Sequence, residues 1–284
     1  MADVRGPRTA IIYDFDGTLA PGNIQEHSLL PCYLGVSPSD FWAEVARRKQ
    51  LHDADEILCY LGLLLEKAKA RELPITYEVL KSQGRDTPLF DGVDGWFARV
   101  NAYAETLGLS LDHYVISSGN EELIAGVRIV DQFRKVFASR YAYDSNGLAV
   151  WPAVVVNYTT KTQYLFRINK GIENAWENEP VNRWQPMADR PLPFERMIYL
   201  GDGDTDIPSM KTVHQLGGNA VAVFDPSKWH TTEIQERVQR LISEDRVKFV
   251  VPADYRPASQ LDVTIRGLLG RVARDAGSQR HSLR

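Results

Sequence analysis

The sequence predicts an α/β protein: a Rossmann-like parallel sheet covered by helices on both faces, with an α-helical domain inserted after the first strand. Three observations carry this prediction. From about residue 110 onward, short apolar runs of strand length alternate with helical patterns, as in a parallel sheet whose crossovers are helices. Between about residues 20 and 109 the strand signals stop and only helical spacing remains, so this stretch interrupts the alternation. Three of the apolar runs end in polar residues, at Asp14, Ser117 and Asp202, and ligands of open α/β sheets bind at the carboxyl ends of strands.

The elements follow in order. Ala10 to Tyr13 is a short apolar run that reads as a buried strand. Ser37-Pro38-Ser39-Asp40 supplies capping residues ahead of Phe41, which predicts a helix start. Residues 53–70 carry Ile57, Leu58, Leu61, Leu64 and Leu65 at helical spacing, with Lys67 and Lys69 near the end. Pro74 breaks that pattern, residues 77–82 begin a short helix, and residues 95–107 align Trp96, Phe97, Val100, Ala104 and Leu107. Such stripes are expected to be core, not a cofactor box.

Residues 114–117 then read as a strand, followed by Ser118-Gly119-Asn120 and a helix start at Glu121 and Glu122. Residues 137–139 suggest another strand, and Asp144-Ser145-Asn146-Gly147 marks a hairpin between 141–143 and 148–151. Residues 160–172 read as helix, and 173–194, rich in Pro and without a period, as loop. Residues 197–200 form a strand running into Gly201-Asp202-Gly203-Asp204-Thr205-Asp206, with further strands at 220–223 and 249–251. A closing helix is expected over 261–273 and a frayed tail over 275–284.

Composition bounds the function. The chain has 284 residues, 44% hydrophobic and 25% charged, an ordinary globular balance with length for one large or two modest domains. A net charge of −4 gives no global attraction to nucleic acid, so no nucleic-acid partner is expected. No segment approaches about 18 uninterrupted apolar residues, and the N-terminus lacks the apolar run of a secretory signal, so no membrane association is expected. Cys32 and Cys59 are the two cysteines, with no CxxC spacing, which suits a reduced, cytoplasmic protein.

The chemistry lies in the polar strand ends. Asp14 and Asp16, Ser117, and Asp202 and Asp206 would converge on one crevice of a doubly wound sheet. Four carboxylates so close repel one another unless a cation offsets them. Hard oxygen ligands of this kind suit Mg²⁺, whose shell is completed by waters and phosphate oxygens. A bound phosphate also needs donors, such as a Ser hydroxyl, backbone N–H groups and a Lys; Asp14 could then attack phosphorus directly. The acidic run at Asp202, Asp204 and Asp206 looks like the start of an EF-hand loop, but Ile207 and Val213 stand where that loop needs Gly and Glu.

These motifs resemble those of the haloacid dehalogenase superfamily of phosphohydrolases. Asp14-Phe15-Asp16-Gly17-Thr18-Leu19 matches the first signature of its phosphatases, Val115-Ile116-Ser117-Ser118-Gly119 looks like the second, and Gly201 to Asp206 looks like the fourth. The helical insertion is similar to the cap of the phosphoserine phosphatase-like branch, so residues 1–19 and 110–284 would form the catalytic core and 20–109 the cap. The resemblance implies a Mg²⁺-dependent phosphatase acting on a small-molecule phosphate ester. Asp14 would be nucleophile and metal ligand. Asp16 would be acid and base and bind metal through its carbonyl, while Thr18 would orient Asp16 or the phosphate. Ser117, with Ser118 and Gly119, would bind phosphate; Asp202 would ligate metal, and Asp206 would support it directly or through water. Asp204 falls where relatives often carry a small or neutral residue and is not expected to take part.

The third signature is a Lys, for which Lys161 and Lys170 compete; Lys161 is favoured because Lys161-x-x-x-Leu165-x-x-Ile168 resembles the helix start of phosphoserine phosphatase relatives. Glu26, Arg47 and Arg48 are cap-side candidates for selecting the leaving group. The alternatives are a phosphotransferase or phosphomutase of the same superfamily, and a catalytically idle binding module, against which the intact Asp14 and Asp16 argue.

Overall fold

Strand β1 (Arg8–Tyr13) is followed by a purely helical run: α1 (Pro38–His52), α2 (Glu56–Lys69), α3 (Tyr77–Gly84) and α4 (Val93–Thr106). The chain continues through β2 (Ser110–Asn120), α5 (Glu121–Ile124), β3 (Lys135–Tyr143), β4 (Ala149–Val154), α6 (Lys161–Lys170) and α7 (Asn178–Asn182). It ends with β5 (Met197–Gly201), α8 (Ile207–Gln215), β6 (Asn219–Phe224), α9 (Thr232–Ser243), β7 (Phe249–Pro252) and α10 (Gln260–Ser282). This computed structural model describes residues 6–203 and 205–282; Asp204 of the acidic run lies outside them, as do 1–5 and 283–284. Among the described residues, no helix is long and apolar enough to cross a membrane.

The strands form one sheet in the order β4-β3-β2-β1-β5-β6-β7. All neighbours are parallel except β3 and β4, the hairpin signalled by Asp144 to Gly147, so the expected parallel sheet carries an antiparallel edge. From β1 the chain first builds outward through β2 and β3, then returns to β5 on the other side, which makes the β2-β1-β5 region the switch point of the topology.

Side-chain alternation assigns the two faces. Ile11 and Tyr13 of β1 join a core with Trp96 and Phe97 of α4 and Leu261, Ile265 and Leu269 of α10. Ala10 and Ile12 point the other way, to Leu165 and Ile168 of α6, Met210 and Val213 of α8 and Leu241 of α9. Helices therefore cover both faces, as expected. α4 lies with the sheet: its Trp96 Nε1 donates to the Tyr13 hydroxyl at 2.9 Å, and Phe97 meets the Tyr13 ring edge-on at 5.9 Å.

Helices α1 to α3 start as their capping chemistry requires. Ser37, Asp55 and Thr76 accept from the backbone N–H of Asp40, Leu58 and Val79 at 3.5, 3.0 and 3.1 Å, and Pro38 occupies the first turn of α1. Three features differ from expectation. α7 forms a short helix inside the stretch 173–194 expected to be mostly loop, and α8 and α9 are helices with no counterpart in the expected elements. α10 runs on to Ser282, so residues 275–282 continue the closing helix rather than fray, while 283–284 of the expected tail lie outside the described residues.

Candidate active site

Asp14 follows β1 directly, and its N–H donates to the Leu200 carbonyl of β5 at 2.9 Å, so the ladder is extended to the first carboxylate. Its Oδ1 accepts from Phe15 N at 2.7 Å, and its Oδ2 meets Lys161 Nζ at 2.7 Å. The same ammonium reaches Asp206 Oδ1 at 2.8 Å, and that oxygen also accepts from the Tyr199 hydroxyl at 2.7 Å. Lys161 is wholly buried at the start of α6, where it would be costly without these two carboxylates. Lys170, at the far end of α6, donates instead to the carbonyls of Val181 and Arg183. The structure thus brings Lys161, and not Lys170, to the acids.

Burial pushes the Asp14 carboxyl well above the usual carboxylate range, with Asp206 and Asp202 adding to the effect and Lys161 opposing it. Burial likewise pushes Asp16 up to about 7, against the Ile24 N–H that its Oδ1 accepts at 2.8 Å. For Lys161 burial disfavours the charge, but Asp14 and Asp206 outweigh it and hold the ammonium above its ordinary value.

Two glycines allow the loops to approach so closely. Gly17 adopts φ +71°, and a Cβ there would stand 2.5 Å from Asp202 Oδ2. A Cβ on Gly119 would stand 2.9 Å from Asp16 Oδ2 and 3.1 Å from Ser117 Oγ. The pairing of β2 with β3 shifts register between Ser117, which still pairs with Ala138, and Asn120, and this irregularity leaves Ser118 and Gly119 out of the ladder. Gly119 N donates to Ser117 Oγ at 2.9 Å, and all three residues line the same cavity as Asp14, Asp16 and Asp202. That cavity is about 460 Å³, a size suited to a small-molecule ligand.

The donor set fits a divalent cation. Asp14, Asp202 and Asp206 each offer a carboxylate oxygen within 4.8 Å of the others. Among the described residues, Lys161 bonds Asp14 and Asp206 and Arg237 meets Asp202, so carboxylates predominate in this mostly buried cluster of Asp14, Asp16, Asp202 and Asp206. Hard oxygens around such a deficit suit Mg²⁺ better than a soft metal.

Known structures resemble this chain in overall fold. A haloacid dehalogenase family hydrolase from Salmonella enterica serovar Typhi superposes with a TM-score of 0.55 at 15% identity, covering 92% of this chain and 71% of that one. A substrate-bound phosphoserine phosphatase gives 0.50 at 14% identity, over 86% and 92%. The chain carries the haloacid dehalogenase fold. A cytosolic 5′-nucleotidase IIIB bound to cytidine shares this fold, with a TM-score of 0.53 at 15% identity over 97% and 88%. In sequence, an uncharacterized protein of Borreliella burgdorferi is 24% identical over 279 residues, 89% of this chain and 93% of that protein. No protein-family model matches the chain.

Within this haloacid dehalogenase fold, not every expected residue reaches the cavity. Thr18 is fully buried, its carbonyl accepts from the Tyr255 hydroxyl at 2.7 Å, and its Oγ1 has no hydrogen-bond partner among the described residues. The structure therefore gives Thr18 no bond to Asp16, because the turn that places Asp16 directs Thr18 into the core. Glu26 stands behind the cavity wall, accepting from Trp42 Nε1 at 2.6 Å and Asn23 Nδ2 at 2.7 Å. Arg47 and Arg48 pair with Glu44 on the helical surface, Arg48 with Glu66 as well.

Three contributors escaped the sequence reading. Tyr199 of β5 supports Asp206, Arg237 of α9 meets Asp202 at 3.3 Å, and Tyr60 of α2 donates to the Ser118 carbonyl at 2.8 Å. Helical spacing of Ile234, Val238 and Leu241 was the available signal for α9. Nothing in the sequence marks the two tyrosines apart from other core aromatics.

Proposed function

We propose that this protein is a Mg²⁺-dependent phosphatase that hydrolyses a small phosphate monoester through an aspartyl-phosphate on Asp14. One observation carries the reading: a buried Lys161 binds both Asp14 and Asp206, and Asp14, at the end of β1, lines one cavity with Asp16, Ser117 and Asp202. In this reading an Asp14 carboxylate oxygen attacks phosphorus and the ester P–O bond breaks. Asp16 gives its proton to the departing alkoxide. It then takes a proton from water, whose oxygen attacks the same phosphorus, so that inorganic phosphate leaves and Asp14 is regenerated. Ser117 and the backbone N–H groups of its loop hold the phosphate oxygens, and Lys161 offsets their charge. Asp14, Asp202 and the Asp16 carbonyl would hold Mg²⁺, which when bound neutralises phosphate charge, with Asp206 in support.

We read α1 to α3 as a cap that shields the reaction, and α4, which packs on Tyr13, as part of the catalytic core. Two free thiols, Cys32 and Cys59, support a reducing, cytoplasmic setting. The reading is tested by phosphate release from p-nitrophenyl phosphate. We expect Asp14→Asn to lower turnover at least about a thousand-fold and chelation of Mg²⁺ to abolish it. Turnover that survives in Asp14→Asn would remove Asp14 as nucleophile.

A further inference from the structure

The cavity above the carboxylates has a wall that the chemistry of phosphoryl transfer does not use. On the helical side it is formed by Trp42 of α1, Tyr60 of α2, Phe90 ahead of α4, and Tyr158 ahead of α6. The polar tips of Trp42 and Tyr60 are already engaged by the protein. Trp42 Nε1 donates to Glu26 Oε1 at 2.6 Å, and Tyr60 donates to the Ser118 carbonyl at 2.8 Å. Glu26 is in turn held by Asn23 Nδ2 at 2.7 Å, and Trp42 meets Tyr60 edge-on at 5.7 Å and 66°. Trp42 and Tyr60 are thus fixed in place, and what they present to a ligand is faces and edges, with no free donor.

Resting on the phosphatase reading above, we propose that the alcohol of the phosphate ester carries a planar ring, which packs against Trp42 and Tyr60 while its phosphate lies at Asp14. A short polar alcohol such as serine or glycerol gains little from the ring faces and would have to reach past them to Asn23, Gln25 or Glu56 for its partners. A planar ring needs none, and stacking on a fixed aromatic carries little ordering cost. The cavity of about 460 Å³ exceeds what a three-carbon phosphate requires and admits a ring with a spacer.

The test compares KM with Mg²⁺ for adenosine 5′-monophosphate, p-nitrophenyl phosphate, O-phosphoserine, glycerol 3-phosphate and phosphocholine, in wild type and Trp42→Ala. We expect the ring-bearing esters to have the lower KM, and Trp42→Ala to raise their KM about ten-fold more than that of O-phosphoserine. The two ring-bearing esters separate a ring on the ester oxygen from one on a sugar spacer. A lower KM for an aliphatic ester, or for the cationic phosphocholine, overturns the inference, as does a Trp42→Ala effect equal across the panel. Absence of release from every ester by folded wild type defeats the phosphatase reading instead. Calorimetric titration of Asp14→Asn with adenosine 5′-monophosphate and with O-phosphoserine then decides the ring separately: tighter nucleotide binding supports it, and equal or tighter O-phosphoserine binding overturns it.

Discussion

Lys161 shows how one side chain joins fold and site. Its ammonium is wholly buried between Asp14 and Asp206, and the two acids come from loops that close different strands. Removing one member of a buried ionic group leaves the others desolvated and unpaired, a change that costs about 3–5 kcal/mol. Lys161→Met should therefore lower Tm by about 10 °C in a chain of this length. Added Mg²⁺ should recover part of that loss, since a cation bound only to the folded state stabilises it by mass action. Thermal unfolding with and without Mg²⁺ measures both effects. A Tm within a degree of wild type would mean that the acids do not need this cation.

At the scale of elements, legibility followed how local the signal was. The strand ending in Asp14-Phe15-Asp16 and the strand ending in Asp202 were readable, because apolar runs closed by acidic turns are local patterns. The caps of α1 to α3 were equally local. What could not be read was contact between distant segments. The Tyr199 hydroxyl at Asp206 and the Tyr60 hydroxyl at Ser118 depend on which strands and helices become neighbours. The assignment of α4 to the sheet rests on the same kind of contact, between Trp96 and Tyr13. α9 is legible only by the period of Ile234, Val238 and Leu241, and it delivers Arg237 to Asp202 at 3.3 Å. A positive charge beside an acidic site weakens cation binding there. Arg237→Gln should accordingly lower the Mg²⁺ concentration needed for half the thermal stabilisation by about five-fold, equivalent to about 1 kcal/mol for a partly exposed pair. Weaker Mg²⁺ binding in the variant would show instead that Arg237 chiefly orients Asp202.

For the molecule as a whole, the strand that carries Asp14 is tied to its surroundings by a buried polar chain whose protons can be assigned. Trp96 Nε1 donates to the Tyr13 oxygen at 2.9 Å, so the Tyr13 proton is free for His113 Nδ1 at 3.0 Å. His113 then carries its own proton on Nε2, facing Asn101 Oδ1 at 2.9 Å. β1, β2 and α4 are joined in this way, with the imidazole neutral. A second proton on His113 would place a donor against the Tyr13 hydroxyl and a charge in the core, and burial depresses its pKa from 6.5 to about 3. Below pH 6.5 the unfolded chain binds a proton that the folded one refuses, so stability falls with pH until the folded group titrates near 3. Between pH 6.5 and 5 this one group should remove about 2 kcal/mol. His113→Gln should be less stable at neutral pH, because the chain through Tyr13 is broken, yet lose less on acidification. Urea unfolding at both pH values gives the comparison. An equal acid loss in wild type and variant would place the sensitivity in other groups and leave His113 with a packing role alone.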